Sequence, residues 1–323
     1  MTIKERLTEL LFRSGGEYIS GEKAARELSV SRAAVWKAIR SLEGDGVEIE
    51  SKKGLGYRLL SPCDLLSVPG IEKYLKCNAS LELLSETDST NTYAKERARL
   101  GAEHFHTVIA EKQTCGRGRL GRSFYSPKGT GLYMTVILRP EGFTEERTRS
   151  LTTMAAVAVC EAIEAVCGKE TVIKWVNDVF ADGKKVCGIL TEASFSLEES
   201  RLQYAIVGIG VNILAPKDGF PPELSDIAGA VFERETVDAR CRLCAEILNR
   251  FSFYLEKDDT SYADEYRKRC FVIGKRVTVH SLGSNEVKAA TAIDVDDRCR
   301  LCVEYENGER ELLSSGEISV RPI

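Results

Sequence analysis

Apolar residues at Ile3, Leu7, Leu10 and Leu11 fall on one face of a 3.6-residue period, so the chain opens with an amphipathic helix. Ser20 is placed to cap a second helix reaching Leu28. Ser31 is placed to cap a third, carrying Ala34, Val35, Ala38, Ile39 and Leu42. The period then changes to two, and residues 46–50 and 57–60 read as short strands around a basic, glycine-bearing turn at 51–56. Helix, helix-turn-helix and a two-stranded wing are thus expected, closed by a connector at Ser61-Pro62-Cys63.

Longer apolar runs follow, alternating with amphipathic stretches. Strands are predicted at 81–87, 107–111, 132–138, 172–176, 179–190 and 205–213, the fifth folded back at Asp182-Gly183, and helices at 91–100, 147–166 and 237–255. After Phe271 the runs shorten, at 276–280, 287–293, 301–305, 310–313 and 318–321, which suggests a small barrel. The expectation is an α+β chain of three domains at 1–62, 63–268 and 269–323, which suits a length of 323 residues.

Charge narrows the partners. The 45 Lys+Arg against 49 Asp+Glu give a net −4, so the molecule as a whole is no electrostatic glove for nucleic acid. Residues 1–60 hold 11 basic and 9 acidic side chains, so any DNA contact is local, and Arg32, Trp36, Lys37 and Arg40 at helical spacing on the third helix are the candidates for it. The first residues are charged, and the longest unbroken apolar run, 154–160, is short for a bilayer, so a cytoplasmic protein without a membrane partner is expected. Eleven cysteines, an odd number, suit reduced thiols. Cys241/Cys244 and Cys299/Cys302 share the spelling Cys-Arg-Leu-Cys, but one pair sits in a helical pattern and the other in a strand. Neither is flanked by a knuckle glycine, so incidental thiols are expected rather than zinc ligands.

The stretch Gly116-Arg117-Gly118-Arg119-Leu120-Gly121-Arg122 is the most informative for chemistry. Its glycines let backbone N–H groups approach a ligand closely, and its arginines supply forked donors for phosphate or carboxylate. It lacks the Walker ending and the dinucleotide spacing, and its place between two core strands argues against a disordered RNA-binding segment. Lys174-Trp175-Val176-Asn177-Asp178 ends a strand with a cation, an amide and a carboxylate, groups that suit phosphate, a nucleotide and Mg2+. Across the hairpin, Lys185 and Gly188 lie near the same strand end. Asp88-Ser89-Thr90-Asn91 opens a helix, where capping is the default role and hydroxyl donors to a ligand the alternative. His104, His106 and His280 form no hydrolase order and receive no role.

Taken in order and spacing, residues 88–91, Gln113 with 116–122, 174–178, 185–192 and 208–212 resemble the biotin protein ligases. With the winged helix in front, the resemblance is to the bifunctional bacterial biotin ligase and biotin operon repressors, over nearly the whole chain. That resemblance implies a winged helix-turn-helix, a central domain of the biotin/lipoate ligase type and a C-terminal SH3-like barrel. It implies biotin and ATP as substrates, Mg2+ as cofactor, and biotinyl-5'-AMP as intermediate and corepressor. The implied partners are a biotin carboxyl carrier protein, operator DNA and a second copy when adenylate is bound.

By position, the resemblance assigns Ser89, Thr90, Asn91, Gln113, Arg117, Gly118, Arg119, Lys185 and Gly188 to biotin and its acyl phosphate. It assigns Arg119, Arg122, Phe124, Lys174, Asn177 and Asn212 to the nucleotide, Asp178 to Mg2+, and catalysis to Lys185 and Arg119. Val176 and Phe124 stand where the family often has proline and tryptophan; Val176 favours an extended backbone and Phe124 offers a smaller stacking face for adenine. Two other readings share parts of the pattern. A ligand-responsive transcription factor without catalysis would not need Lys185 and Asp178, and a lipoate-type ligase would not need the 116–122 loop.

Overall fold

Two caps and one buried stripe build the N-terminal helices. In the computed structural model, which describes residues 3–44, 47–60, 64–139, 145–196, 201–234, 236–257, 260–280, 287–314 and 317–320, α1 is Ile3–Arg13, α2 is Gly21–Leu28 and α3 is Arg32–Gly44. Their apolar faces, with Leu7, Leu11, Leu28, Val35, Ile39 and Leu42, form one core. The Ser20 hydroxyl accepts from Lys23 N at 3.1 Å and the Ser31 hydroxyl from Ala34 N at 3.2 Å, bonds of a kind worth about 1 kcal/mol each. β1 (Ile49–Lys52) and β2 (Gly56–Leu59) pair antiparallel with Ile49 opposite Leu59, so the turn is tighter than expected. Gly56 has φ 109°, and a Cβ there would lie 2.1 Å from the Ile19 carbonyl, because Ile19 bridges to Tyr57 across this point. The connector at 61–63, Gly46 and Arg321 lie outside the described residues.

The chain packs as two compact units, Met1–Leu75 with Arg234–Ala245, and Lys76–Glu233 with Glu246–Ile323. In the first, a short helix absent from the sequence reading, α4 (Val68–Glu72), starts where Ser67 Oγ accepts from Gly70 N at 3.1 Å. The Asp64 carboxylate grips both the backbone N and the guanidinium of Arg240, and each side chain is only 6% exposed. Removing one partner of such a pair costs about 3–5 kcal/mol, since the other charge is left buried.

The second unit is built on a seven-stranded sheet in the order β3-β4-β5-β9-β8-β7-β6. Its strands are β3 (Ser80–Leu84), β4 (His106–Ala110), β5 (Gly131–Leu138), β6 (Val172–Lys174), β7 (Asp178–Ala181), β8 (Lys184–Ser196) and β9 (Arg201–Asn212). All neighbours pair antiparallel except β3 with β4. β5 is buried at every position, which is why it reads as an unbroken apolar run. The β7–β8 turn is the expected hairpin, with Asp182 and Gly183 both at positive φ, 51° and 75°.

α5 (Thr90–Arg99) covers one face of this sheet, with Ala94 and Ala98 against Val108, Ile137 and Ile206. α6 (Glu145–Cys167) covers the other, where Thr152 bonds the Thr191 hydroxyl at 2.8 Å. The 18 residues Ser150–Cys167 average a hydropathy of 1.5, enough to cross a membrane by length and composition, yet 61% of them are buried in the fold. The stretch belongs to the helix expected at 147–166 and is a core helix in this fold.

α7 (Ala239–Glu256) and α8 (Ser261–Arg269) follow. α8 was also missed, because only Tyr262, Ala263 and Tyr266 are buried in an otherwise charged stretch. The last elements are β10 (Arg276–His280), β11 (Val287–Val295), β12 (Leu301–Tyr305), β13 (Arg310–Leu313) and β14 (Glu317–Val320), an antiparallel sheet ordered β13-β12-β11-β10-β14. A bulge at Ala292/Asp294 carries β11 two residues beyond its expected end.

Candidate active site

The start of α5 is capped from outside. Ser89 occupies the N-cap with extended backbone, but its hydroxyl makes no capping bond. Gln113 Oε1 instead accepts from Thr90 N at 2.8 Å and Thr90 Oγ1 at 3.1 Å, while Gln113 Nε2 donates to Ser126 Oγ at 2.8 Å. Capping was the default role for residues 88–91, and Gln113 takes it over, so the Ser89 hydroxyl is not spent on the helix. Asn91 is buried; its Nδ2 donates to the Leu190 carbonyl (3.3 Å) and Glu192 Oε2 (3.0 Å), and its Oδ1 lies 2.8 Å from the Thr135 hydroxyl.

The arginine-glycine loop closes on itself. Gly118 N donates to Arg122 O at 2.7 Å, Phe124 N to Gly116 O at 2.8 Å, and Leu120 and Gly121 turn the chain at φ 56° and 74°. Gly116 is forced by space, since a Cβ would lie 2.3 Å from the Phe124 carbonyl. Phe124 folds inward over the facing glycines of β8 and β9, Gly188 and Gly210, with its edge toward the Tyr133 ring at 6.3 Å. One face of that ring is thus already taken by the sheet.

At the β6–β7 turn, Asn177 Nδ2 donates to the Ile189 carbonyl and to Asp178 Oδ1, both at 3.0 Å, and its Oδ1 accepts from Arg119 at 2.8 Å. Lys185 Nζ lies 2.7 Å from Asp178 Oδ1, and Asn212 Nδ2 donates to the Gly229 carbonyl at 3.0 Å. The Trp175–Val176 peptide is cis.

These pieces enclose one cavity of about 510 Å³. Every central residue singled out from the sequence lines it: Ser89, Thr90, Asn91, Gln113, Arg117, Gly118, Arg119, Arg122, Phe124, Lys174, Asn177, Asp178, Lys185, Gly188 and Asn212. Phe220, Leu224, Ile227 and Ala228 complete the wall and were missed. Their segment pairs with the start of β8, Lys185 N donating to Ile227 O and Gly229 N to Lys185 O, but its prolines and lack of period gave no signal beyond scattered apolar residues. The lining is basic, with Asp178 its one carboxylate, which suits an anionic ligand with an apolar part.

Glu192 lies behind the cavity wall and was also missed. Burial raises its carboxyl, but hydrogen bonds from Lys95 and Asn91 outweigh that and hold it below the usual glutamate range. His106 has polar partners outside the cavity. The parallel register of β3 and β4 sets Ser80 beside His106, with Ser80 Oγ 2.7 Å from Nδ1 and Glu82 3.2 Å from Nε2. Glu82 is shared with Arg97 and Tyr93, and none of the three borders the cavity. For the cysteine pairs, burial pushes the Cys241 and Cys299 thiols up to about 12, opposite to what a metal-binding thiolate needs. Cys299 stands in the turn before β12 rather than in a strand. No cluster of three or more potential metal ligands occurs among the described residues.

On α3, Arg32, Trp36, Lys37 and Arg40 are all exposed, opposite the buried Val35, Ala38, Ile39 and Leu42. The Arg40 guanidinium lies 5.5 Å from the Trp36 ring centre and 2.9 Å from Glu43.

Comparison with known proteins matches three regions to family models: an HTH domain at residues 4–58, the biotin/lipoate A/B protein ligase family at 83–212, and a biotin protein ligase C-terminal domain at 272–321. The bifunctional ligase/repressor BirA of Bacillus spizizenii is 37% identical over 97% of this chain and 98% of its own length. The Bacillus subtilis protein of the same name is 36% identical over the same shares. Among solved structures, the biotin protein ligase from Aquifex aeolicus in complex with biotin and ATP superposes with a TM-score of 0.62 at 28% identity, covering 75% of this chain and 98% of that one.

Proposed function

This chain belongs to the family of bifunctional biotin protein ligases and repressors, and on that footing we propose that it activates biotin with ATP, transfers it to a lysine of a biotin carboxyl carrier protein, and represses transcription in response to biotin. The supporting observation is the gathering of five sequence blocks, from Ser89 to Asn212, around one basic cavity. A biotin carboxylate oxygen attacks the α-phosphorus, the bond to the β-phosphate breaks, and pyrophosphate leaves. The amine of the carrier lysine then attacks the acyl carbon, and AMP leaves.

In this reading the α5 end of the cavity (Ser89, Thr90, Asn91, Gln113) takes the polar ring of biotin. Arg117, Gly118 and Arg119 take the acyl phosphate. Lys185 meets the negative charge that grows on phosphoryl oxygens, where a fixed cation acts most strongly in the transition state. Lys174, Asn177, Asn212, Arg122 and the open side of Phe124 take the nucleotide. One carboxylate suits Mg2+, which arrives with phosphates and keeps most of its ligands from them and from water; Asp178 would hold it, and the ion would neutralise phosphate charge. The proposal includes a three-domain division at 1–62, 63–268 and 269–323, a cytoplasmic location, operator reading by Arg32, Trp36, Lys37 and Arg40, and dimerisation of the adenylate-bound form on a two-fold operator.

Biotin-dependent exchange of pyrophosphate into ATP tests the first step, and labelling of a carrier domain the second. Biotin binding without exchange would leave a non-catalytic sensor, and exchange with lipoate in place of biotin would reassign the substrate.

A further inference from the structure

Asn91 is buried at one end of the cavity, and its enclosure spans three strands. Thr135 on β5, Gly208 on β9 and Leu190 on β8 stand in one cross-strand row, and the Asn91 amide lies over it. Gly208 makes room, since a Cβ there would fall 2.0 Å from Asn91 Oδ1. Thr135 approaches Oδ1, while the Leu190 carbonyl and the Glu192 carboxylate accept from Nδ2. A carbonyl and an ionised carboxylate can only accept, so Nδ2 must face β8 and Oδ1 must face Thr135 and the cavity. The side chain is thereby restricted to the role of acceptor toward whatever enters.

Glu192 does more than orient the amide. It shares the face of β8 that carries Gly188 and Leu190, and its Oε1 is 2.6 Å from Lys95 Nζ and 3.6 Å from an Arg117 nitrogen. One carboxylate therefore joins the first turn of α5, its second turn through Lys95, and the first arginine of the glycine loop. Its side chain is 22% exposed. Partial shielding strengthens such contacts relative to open solvent.

We infer that Glu192 is a positioning residue for biotin: it fixes the acceptor orientation of Asn91, so that the ring-binding end of the cavity is set before the ligand arrives. This rests on the functional reading above. Glu192 acts through other side chains and sits away from Lys174, Asn177 and Asn212, so its removal weakens biotin binding and spares the nucleotide.

The test is Glu192→Gln, which keeps the shape, loses the charge and sets an N–H donor against the Asn91, Lys95 and Arg117 donors that the carboxylate accepts from. In the exchange assay the variant is expected to raise the biotin KM at least tenfold while kcat and the ATP KM stay within twofold. Calorimetric titration with biotin alone should show the same loss in affinity. A general structural defect would move the ATP KM and kcat as well. An unchanged biotin KM, or equal losses for biotin and ATP, would overturn the inference. Should the variant fold poorly, Asn91→Ala and Asn91→Ala/Lys95→Met carry the test: with the amide gone, breaking the Lys95 contact to Glu192 should change biotin affinity less than twofold, and a further tenfold loss would refute the role of Asn91. If the unsubstituted protein binds biotin but catalyses no exchange, the ligase reading fails, while calorimetry on the same variants still decides the role of Glu192.

Discussion

The exposed face of α3 and the enclosed end of the cavity solve recognition in contrasting ways. On α3 the candidate reading residues all project into solvent, and the contacts that restrain Arg40 lie within its own helix. The Asn91 amide is held by partners on three strands, and Gly208 leaves space that no other residue could give. The helix face can adapt to a surface that changes along its length, at the cost of side-chain order on binding. The cavity has its geometry set in advance, as a reaction requiring in-line approach of two anions demands. Substitutions should accordingly act steeply in one region and gently in the other.

The largest effect should come from Lys185→Ala. It removes the cation that meets growing phosphoryl charge and leaves Asp178 without its 2.7 Å partner, so exchange should slow by about 10²–10³-fold with biotin binding changed little. Steady-state exchange and equilibrium titration separate the two, and normal turnover would remove Lys185 from the mechanism. Next, Arg119→Gly deletes a forked donor that also ties the loop to Asn177. The adenylate should leave about tenfold faster, as one charge-assisted bond disappears. Rapid-filtration release measurements check this, and an unchanged off-rate would place Arg119 away from the acyl phosphate.

Gentler behaviour is expected on α3. Lys37→Ala should weaken operator and unrelated DNA alike and lower the salt slope by about 1. Loss of sequence preference instead would show that Lys37 reads a base and would sharpen the contrast differently. A control outside both regions gives the smallest effect. Burial raises the Glu164 carboxyl, but the Arg269 guanidinium outweighs it and holds the group below the usual range. A depressed folded-state value contributes stability above the unfolded value and loses it as pH falls through the folded one. Thermal melts should therefore decline below about pH 4.3, and Glu164→Gln should flatten that decline without touching exchange or DNA binding.

What was legible in the sequence followed from local rules. Ser20 and Ser31 announced their helices, Asp182-Gly183 its hairpin, and the loop of glycines and arginines its chemistry, because each depends on neighbours along the chain. α4 and α8 escaped because one is a single turn and the other buries only three residues among charges. The wall at 220–228 escaped because an irregular, proline-bearing segment has no period. Glu192 and Thr135 escaped for another reason: they act through register across β5, β9 and β8, which no spacing along the chain encodes. The same holds for Ser80, His106 and Glu82, brought together only by parallel pairing.

The ring of Phe124 resting on Gly188 and Gly210 has a meaning for redesign. A methyl group at 210 would stand 2.6 Å from the ring and one at 188 would stand 3.4 Å away, so the depth of the cavity is written jointly by positions far apart in the chain. Retuning this scaffold to a bulkier or slimmer ligand means choosing 124 and 210 together, since a methyl group at 210 alone would displace the aromatic plate and a smaller residue at 124 alone would leave a void over the glycine, while 188 meets the ring only at van der Waals distance.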